Sequence, residues 1–194
     1  MAYSIQQLTL LHESNNSRIY YKADSVYDQP VVIKVLNSEH PTPHQLIRYN
    51  NEFEFTKDPT VAGVRKSLAQ IKLDDKPALV MEYVPGQTLK EAFAAQQQSL
   101  VGFLVVAIHI AQILGELHRR NIIHGDINSH NILVNQETKQ VKLIDFSIAT
   151  QLDVRVQHLG NPERLASTLA YISLEQTGRM NRAVDYGPIF IRWV

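Results

Sequence analysis

A handful of side chains in this sequence could handle phosphate and metal chemistry. HGDINSHN (124–131) sets Asp126 and Asn131 five residues apart, after a long apolar stretch and before a β-rich one. Such a carboxylate can orient or accept the proton of an attacking hydroxyl. An amide oxygen and a carboxylate can also share a divalent cation that neutralises phosphate charge. LIDFS (143–147) ends an apolar run with Asp145, fourteen residues beyond Asn131, where a second metal ligand could sit. VVIK (31–34) puts Lys34 inside an apolar strand, where an ammonium is costly unless paired, and Glu52 and Glu54 follow as candidate partners. Each feature alone has an ordinary reading: a capped turn, a turn aspartate, an edge-strand lysine facing water. Their order along the chain, Lys, Glu, Asp…Asn, Asp, is what makes them a set.

The elements that must carry these residues follow from periodicity. SRIYYKAD (17–24) and VVIKVL (31–36) read as a hairpin across the turn-like Asp28, Gln29 and Pro30. Residues 41–58 carry Leu46, Ile47, Tyr49 and Phe53 at helical spacing behind Pro41 and Pro43. Short strands follow at 69–73 and 78–84, and Pro85-Gly86 breaks the pattern. Helices at 88–97 and 100–119 and strands at 131–135 and 141–146 complete the order. A strand-rich front and a helix-led second half imply two lobes, with a ligand cleft between them.

Composition narrows the function. The chain has 194 residues, 44% of them hydrophobic and 20% charged, the balance of a folded globular protein. Nineteen basic residues match nineteen acidic ones, so no global field argues for nucleic acid. Without cysteine, disulfides and thiolate chemistry are excluded. LVGFLVVAIHIAQIL (100–114) is shorter than a bilayer span and is interrupted by His109 and Gln112, so it reads as a core helix with no membrane span. The N-terminus lacks a basic flank and an apolar run, and a cytoplasmic location is expected.

Taken together the motifs resemble the protein kinase family over roughly residues 8–186. VVIK is similar to the family's phosphate-pairing lysine strand, and Glu52 fits its partner better than Glu54 by distance to AGV (62–64). MEYV (81–84) resembles the hinge, with Met81 as gatekeeper and the backbone of Glu82 and Val84 facing adenine. Ile19 and Val32 fall on positions that line the nucleotide. HGDINSHN resembles the catalytic loop and DFS the metal-binding DFG; in STLAYISLE (167–175), Thr168 would bridge to Asp126. The resemblance implies ATP and Mg²⁺ as cofactors, with Asn131 and Asp145 on the metal, and a protein substrate bearing a Ser or Thr hydroxyl. It implies an α+β, two-lobed kinase-like fold: a small β-rich N-lobe and hinge at 1–84 and an incomplete helical C-lobe at 85–186. STLAYISLEQTGRMNRAVDY (167–186) most resembles serine/threonine kinase domains at the front of large cyanobacterial sensor hybrids, with sensor and ATPase modules downstream.

Departures from the pattern bear on activity. With Ile19 aligned to the valine after the family's glycine-rich loop, the three glycine positions become His12, Ser14 and Ser17, and no glycine precedes Gly63. Gly125 replaces the arginine before the catalytic Asp, Asn128 stands where a lysine usually contacts the γ-phosphate, and Ser147 replaces the last residue of DFG. After VDY (184–186) the family's next buried helix is missing, and 187–194 reads as an aberrant tail, so truncation and weak activity are expected. Two alternatives stand beside the kinase reading: a non-catalytic, pseudokinase-like binding fragment, and a small-molecule phosphotransferase. STLAYISLE argues against the second.

Overall fold

The computed structural model describes residues 5–95 and 99–151. The expectations for Thr168, for the segment 167–186 and for the tail at 187–194 lie outside the described residues. The chain divides into two compact units: Met1–Thr60 with Val64–Pro85, and Val61–Gly63 with Gly86–Val194.

The first unit is a five-stranded antiparallel sheet with one helix. Its strands are β1 (Thr9–Glu13), β2 (Ser17–Lys22), β3 (Val31–Leu36), β4 (Ser67–Leu73) and β5 (Lys76–Glu82), in the order β1-β2-β3-β5-β4. β2 and β3 form the hairpin read from sequence, with Ile19 opposite Lys34 and Tyr21 opposite Val32. The near-continuous apolar run of β3 has a physical cause, because both its faces are covered. Val31, Ile33 and Val35 join Tyr20, Leu73, Ala78 and Val80 on one face. Val32 joins Leu79 and Met81 on the other, against Ile19, Tyr49, Phe53 and Tyr83.

Helix α1 (Pro43–Thr56) starts with a capping box: Thr42 accepts from the Gln45 amide, and the Gln45 side chain accepts from the Thr42 amide. Its buried stripe differs from the apolar periodicity. Leu46 and Ile47 are exposed, whereas Glu52 and Thr56 are buried and Tyr49 and Phe53 pack on the sheet. The inward face thus runs 49-52-53-56, and it includes a carboxylate because Lys34 lies beneath it.

The second unit contains β6 (Gln87–Thr88), α2 (Leu89–Ala94), α3 (Leu100–Arg119), β7 (Ile122–Ile123), β8 (Ile132–Val134), β9 (Val141–Leu143) and β10 (Thr150–Gln151). β6, β8 and β9 form one small sheet, and β7 pairs antiparallel with β10. α2 is capped by Thr88 and Glu91 and α3 by Ser99. Strands β8 and β9 are shorter than the apolar runs that announce them, because Asn131 and Asp145 already belong to loops. α3 buries Val106, Ile110, Leu114 and Leu117, a single helical stripe, while Leu100, Val101, Leu104 and Ile108 are exposed. It is therefore a half-buried helix, apolar on more faces than the described residues cover. By length and composition alone, its 20 residues would suffice to cross a bilayer.

Gly86 begins the second unit at φ +142°, and a Cβ there would meet the Val134 carbonyl oxygen at 2.5 Å. Both the backbone conformation and the space exclude a side chain. Gly86→Ala should therefore lower stability by about 2 kcal/mol or more. Gly115 in α3 has open space around it, so Gly115→Ala should be neutral or slightly stabilising. Urea unfolding midpoints of the two variants check both expectations.

Candidate active site

In the first unit, the alternation of β3 sends Lys34 to the same side as Val32, toward α1. Lys34 Nζ donates to Glu52 Oε2 at 2.7 Å, with the side chains 14% and 3% exposed. Glu54, the other candidate, points outward and pairs with Lys57. The helix is pinned at two further points. Tyr49 Oη donates to the Ala78 carbonyl at 2.9 Å, and burial pushes its phenol up to about 12. Thr56 Oγ1 donates to the Glu52 carbonyl at 2.6 Å and meets Ser67 Oγ at 2.6 Å. Val32 and Met81 are buried, and Ile19 packs against the same cluster, an apolar surface suited to a flat aromatic ring. At the end of β5 the Glu82 amide donates to the Lys66 carbonyl, and its carboxylate accepts from the Lys66 amide. Val84 lies two residues on and is buried.

In the second unit, two loops run side by side. One joins β7 to β8 and holds His124–Asn131; the other joins β9 to β10 and holds Asp145 and Phe146. The Ile144 amide donates to the Asn131 carbonyl at 3.0 Å, which ties the loops together. Fully buried His124 adds a second tie, with Nε2 3.0 Å from the Ile144 carbonyl. Its Nδ1 accepts from the Asp126 amide at 3.2 Å, so the proton sits on Nε2, which donates. Its ring packs edge-on against Phe146 with centroids 4.4 Å apart. The motif draws attention to Asp126 and Asn131 but not to His124, for which the preceding Ile122 and Ile123 are the signal of burial.

The Asp126 carboxylate is held by two amides. Asn128 Nδ2 donates to Oδ1 at 3.0 Å and Asn131 Nδ2 donates to Oδ2 at 2.8 Å. Asn131 Nδ2 also reaches the Asp126 carbonyl at 2.9 Å. Asn128 is buried, and its Oδ1 accepts from the His130 and Asn131 amides at 2.9 and 3.3 Å. Both ends of its side chain are therefore engaged inside the loop. A short amide turns back onto its own loop, where a long ammonium would extend. Gly125 has φ +82°, and a Cβ there would lie 3.0 Å from the Ile148 carbonyl oxygen, so a side chain here would be strained and would crowd the neighbouring loop. Asp145 is left-handed at φ +62°, and one carboxylate oxygen accepts from the Ser147 amide at 3.3 Å.

The donor set fits a hard divalent cation. The Asn131 nitrogen is committed to Asp126, which leaves its oxygen as the group's acceptor, and Asp145 supplies a carboxylate next to the residue bonded to Asn131. One amide oxygen and one carboxylate suit a cation whose remaining ligands are phosphate and water. Among the described residues no cluster of three His, Cys, Asp or Glu side chains forms an all-protein metal cage.

Burial lowers the His124 imidazole to about 4. The folded state thus binds this proton less readily than the unfolded chain, where His titrates near 6.5. Its stabilising contribution is complete above pH 6.5 and falls as the pH drops from 6.5 towards 4. Wild type should lose about 2 kcal/mol more than His124→Asn between pH 7.5 and 5, measured by urea unfolding. His118 is also lowered by burial, and it affects both proteins equally.

Comparison with known proteins agrees with this geometry. The family model described as the protein kinase domain matches residues 7–187. The chain is 28% identical over 174 residues to the serine/threonine-protein kinase PrkC of Bacillus subtilis, covering 88% of this chain and 26% of that protein. It is 30% identical over 164 residues to the serine/threonine-protein kinase PknL of Mycobacterium tuberculosis, covering 82% of this chain and 40% of that protein. It is also 29% identical over 139 residues to MAP3K epsilon protein kinase 1 of Brassica napus, which covers 70% of this chain and 11% of that protein. The chain thus spans about a quarter of the Bacillus relative's length. With a family match over nearly its whole length, a β-sheet unit bearing the lysine–glutamate pair and a second unit bearing the paired loops, the chain belongs to the protein kinase domain family, within its serine/threonine-kinase relatives, and has that family's two-lobed α+β fold.

Proposed function

We propose that this domain transfers a phosphoryl group from Mg²⁺-bound ATP to a Ser or Thr hydroxyl of a protein substrate. The observation that supports it best is the pair of loops in which Asp126 is bonded to Asn131, and Asn131 to the residue preceding Asp145. In this reading Asp126 orients the acceptor hydroxyl, and its fixed carboxylate places that oxygen for in-line attack. Asn131 and Asp145 hold the metal, which would neutralise phosphate charge when bound. Lys34, kept in place by Glu52, pairs with the α- and β-phosphates, while Ile19, Val32, Met81 and the backbone at Glu82 and Val84 receive the adenine. Asn128 acts through Asp126 as a positioning residue. Thr168, outside the described residues, is assigned to the substrate side of Asp126 by family resemblance.

The wording at 167–186 supports a finer placement, as the front module of a cytoplasmic sensor protein with further modules. A second reading, nucleotide or partner binding without transfer, draws its support from the glycine-free β1–β2 turn and from the neutral Asn128 in place of a cation.

The division of roles is testable with purified protein, Mg²⁺-ATP and a generic Ser/Thr substrate. Asp126→Ala should abolish transfer while leaving Mg²⁺-ATP affinity within about threefold, because Asp126 faces the acceptor. Asp145→Asn should weaken Mg²⁺-ATP binding about tenfold or more by removing a metal ligand. Equal loss of binding in both variants would contradict the assignment. Tight nucleotide binding by wild type with no transfer would favour the non-catalytic reading.

A further inference from the structure

β1 and β2 are joined by Ser14, Asn15 and Asn16, a turn that leads into Ser17 without glycine. The Ser14 amide donates to the Ser17 carbonyl at 2.9 Å, closing the hairpin. Ser14 Oγ sits inside it. This oxygen accepts from the Ser17 amide at 3.1 Å and from the Asn16 amide at 3.4 Å, and donates to the Ser17 carbonyl at 3.1 Å. The turn is also fastened to the end of β3: Asn37 Nδ2 donates to the Ser14 carbonyl at 2.7 Å and the Asn37 amide to the Asn16 carbonyl at 3.0 Å. Successive backbone N–H groups that converge on one point form a concavity that holds anion oxygens. Here a hydroxyl oxygen already fills it.

We propose that Ser14 closes the β1–β2 turn as an internal stand-in for a phosphate oxygen, so that Ser14 sets the balance between base and phosphate recognition, with Asn37 as the latch. The inference rests on the reading of the first unit as a nucleotide site. A phosphate oxygen could use the Asn16 and Ser17 amides only by displacing the Ser14 hydroxyl. The gain from the new contacts is then offset by the bonds lost. A substitution at Ser14 leaves Lys34 and its partner Glu52 in the chain, so the change is made in the turn. The turn is largely exposed, and its loss leaves both faces of the sheet packed.

The test is calorimetric titration of the full chain with adenosine and with ATP at fixed excess Mg²⁺, for wild type, Ser14→Ala and Asn37→Ala. In Ser14→Ala the ratio of ATP to adenosine affinity should rise about fivefold or more, with adenosine affinity within twofold of wild type. Asn37→Ala should raise the ratio less, in the same direction. Hydrogen exchange at the Ser17 amide should accelerate in Ser14→Ala. An unchanged ratio, with both ligands still binding, would overturn the role of Ser14 and leave the nucleotide site standing. A parallel fall for both ligands would show a merely structural serine and overturn it as well. Absence of binding by either ligand to all three proteins would overturn the nucleotide site and this inference together.

Discussion

A lysine and a glutamate withdrawn from water in the same place constrain most of the first unit. Removing one partner of such a pair leaves a buried charge and destabilises a protein by about 3–5 kcal/mol. The pair therefore demands two things at once. β3 must hold the register that turns Lys34 towards the helix, and α1 must be rotated so that Glu52, and not Leu46 or Ile47, faces inward. The bonds from Tyr49 to Ala78 and from Thr56 to Ser67 fix that rotation from both sides of Glu52. Two well-packed apolar residues could hold sheet and helix equally firmly. They could not present a cation to a phosphate, which under the proposed function is what Lys34 is kept for.

The second unit solves its positioning problem with neutral groups. Two asparagine amides hold the Asp126 carboxylate, and an uncharged histidine spans the two loops from inside the core. Neutral donors restrain a carboxylate without cancelling its charge. The small residue at Gly125 lets the loops approach closely enough for His124 to reach the Ile144 carbonyl.

What could be read from the sequence was what has strong local periodicity or strong chemistry. The β2–β3 hairpin, α1, α3 and the residues Lys34, Glu52, Asp126, Asn131 and Asp145 all belong to that class. The inward face of α1 was misread because apolar spacing points to Leu46 and Ile47, while the ion pair and the tyrosine decide the rotation. β1, with every residue exposed, has no buried face to create an alternating pattern, and β6, β7 and β10, at two residues each, are too short to show one. Asn128 was assigned by its alignment to a lysine, and only geometry shows the amide turned back onto Asp126. The closure of the β1–β2 turn by Ser14 was equally hidden: the sequence announces missing glycines but not what occupies their place.

The order of strands in the second unit also says something about how its chemistry assembles. β8 and β9 form a hairpin over the short Asn135–Gln140 connection, and their pairing alone brings Asn131 beside Ile144 and hence Asp145. Hairpins of this size form in about 1–10 μs, because little chain entropy is lost in closing them. β7 and β10 are only two residues each and pair across the whole of that hairpin, Ile123 with Thr150 and Ile122 with Gln151. Their ladder is too short to persist by itself and must close after the hairpin is in place. The juxtaposition of Asn131 and Asp145 therefore follows from a local hairpin, and the Asp126 carboxylate is held by amides of its own loop, whereas the β7–β10 ladder depends on long-range closure. Partial unfolding from the β7–β10 end would separate Ile122 and Ile123 from Thr150 and Gln151 while leaving Asn131 and Asp145 together.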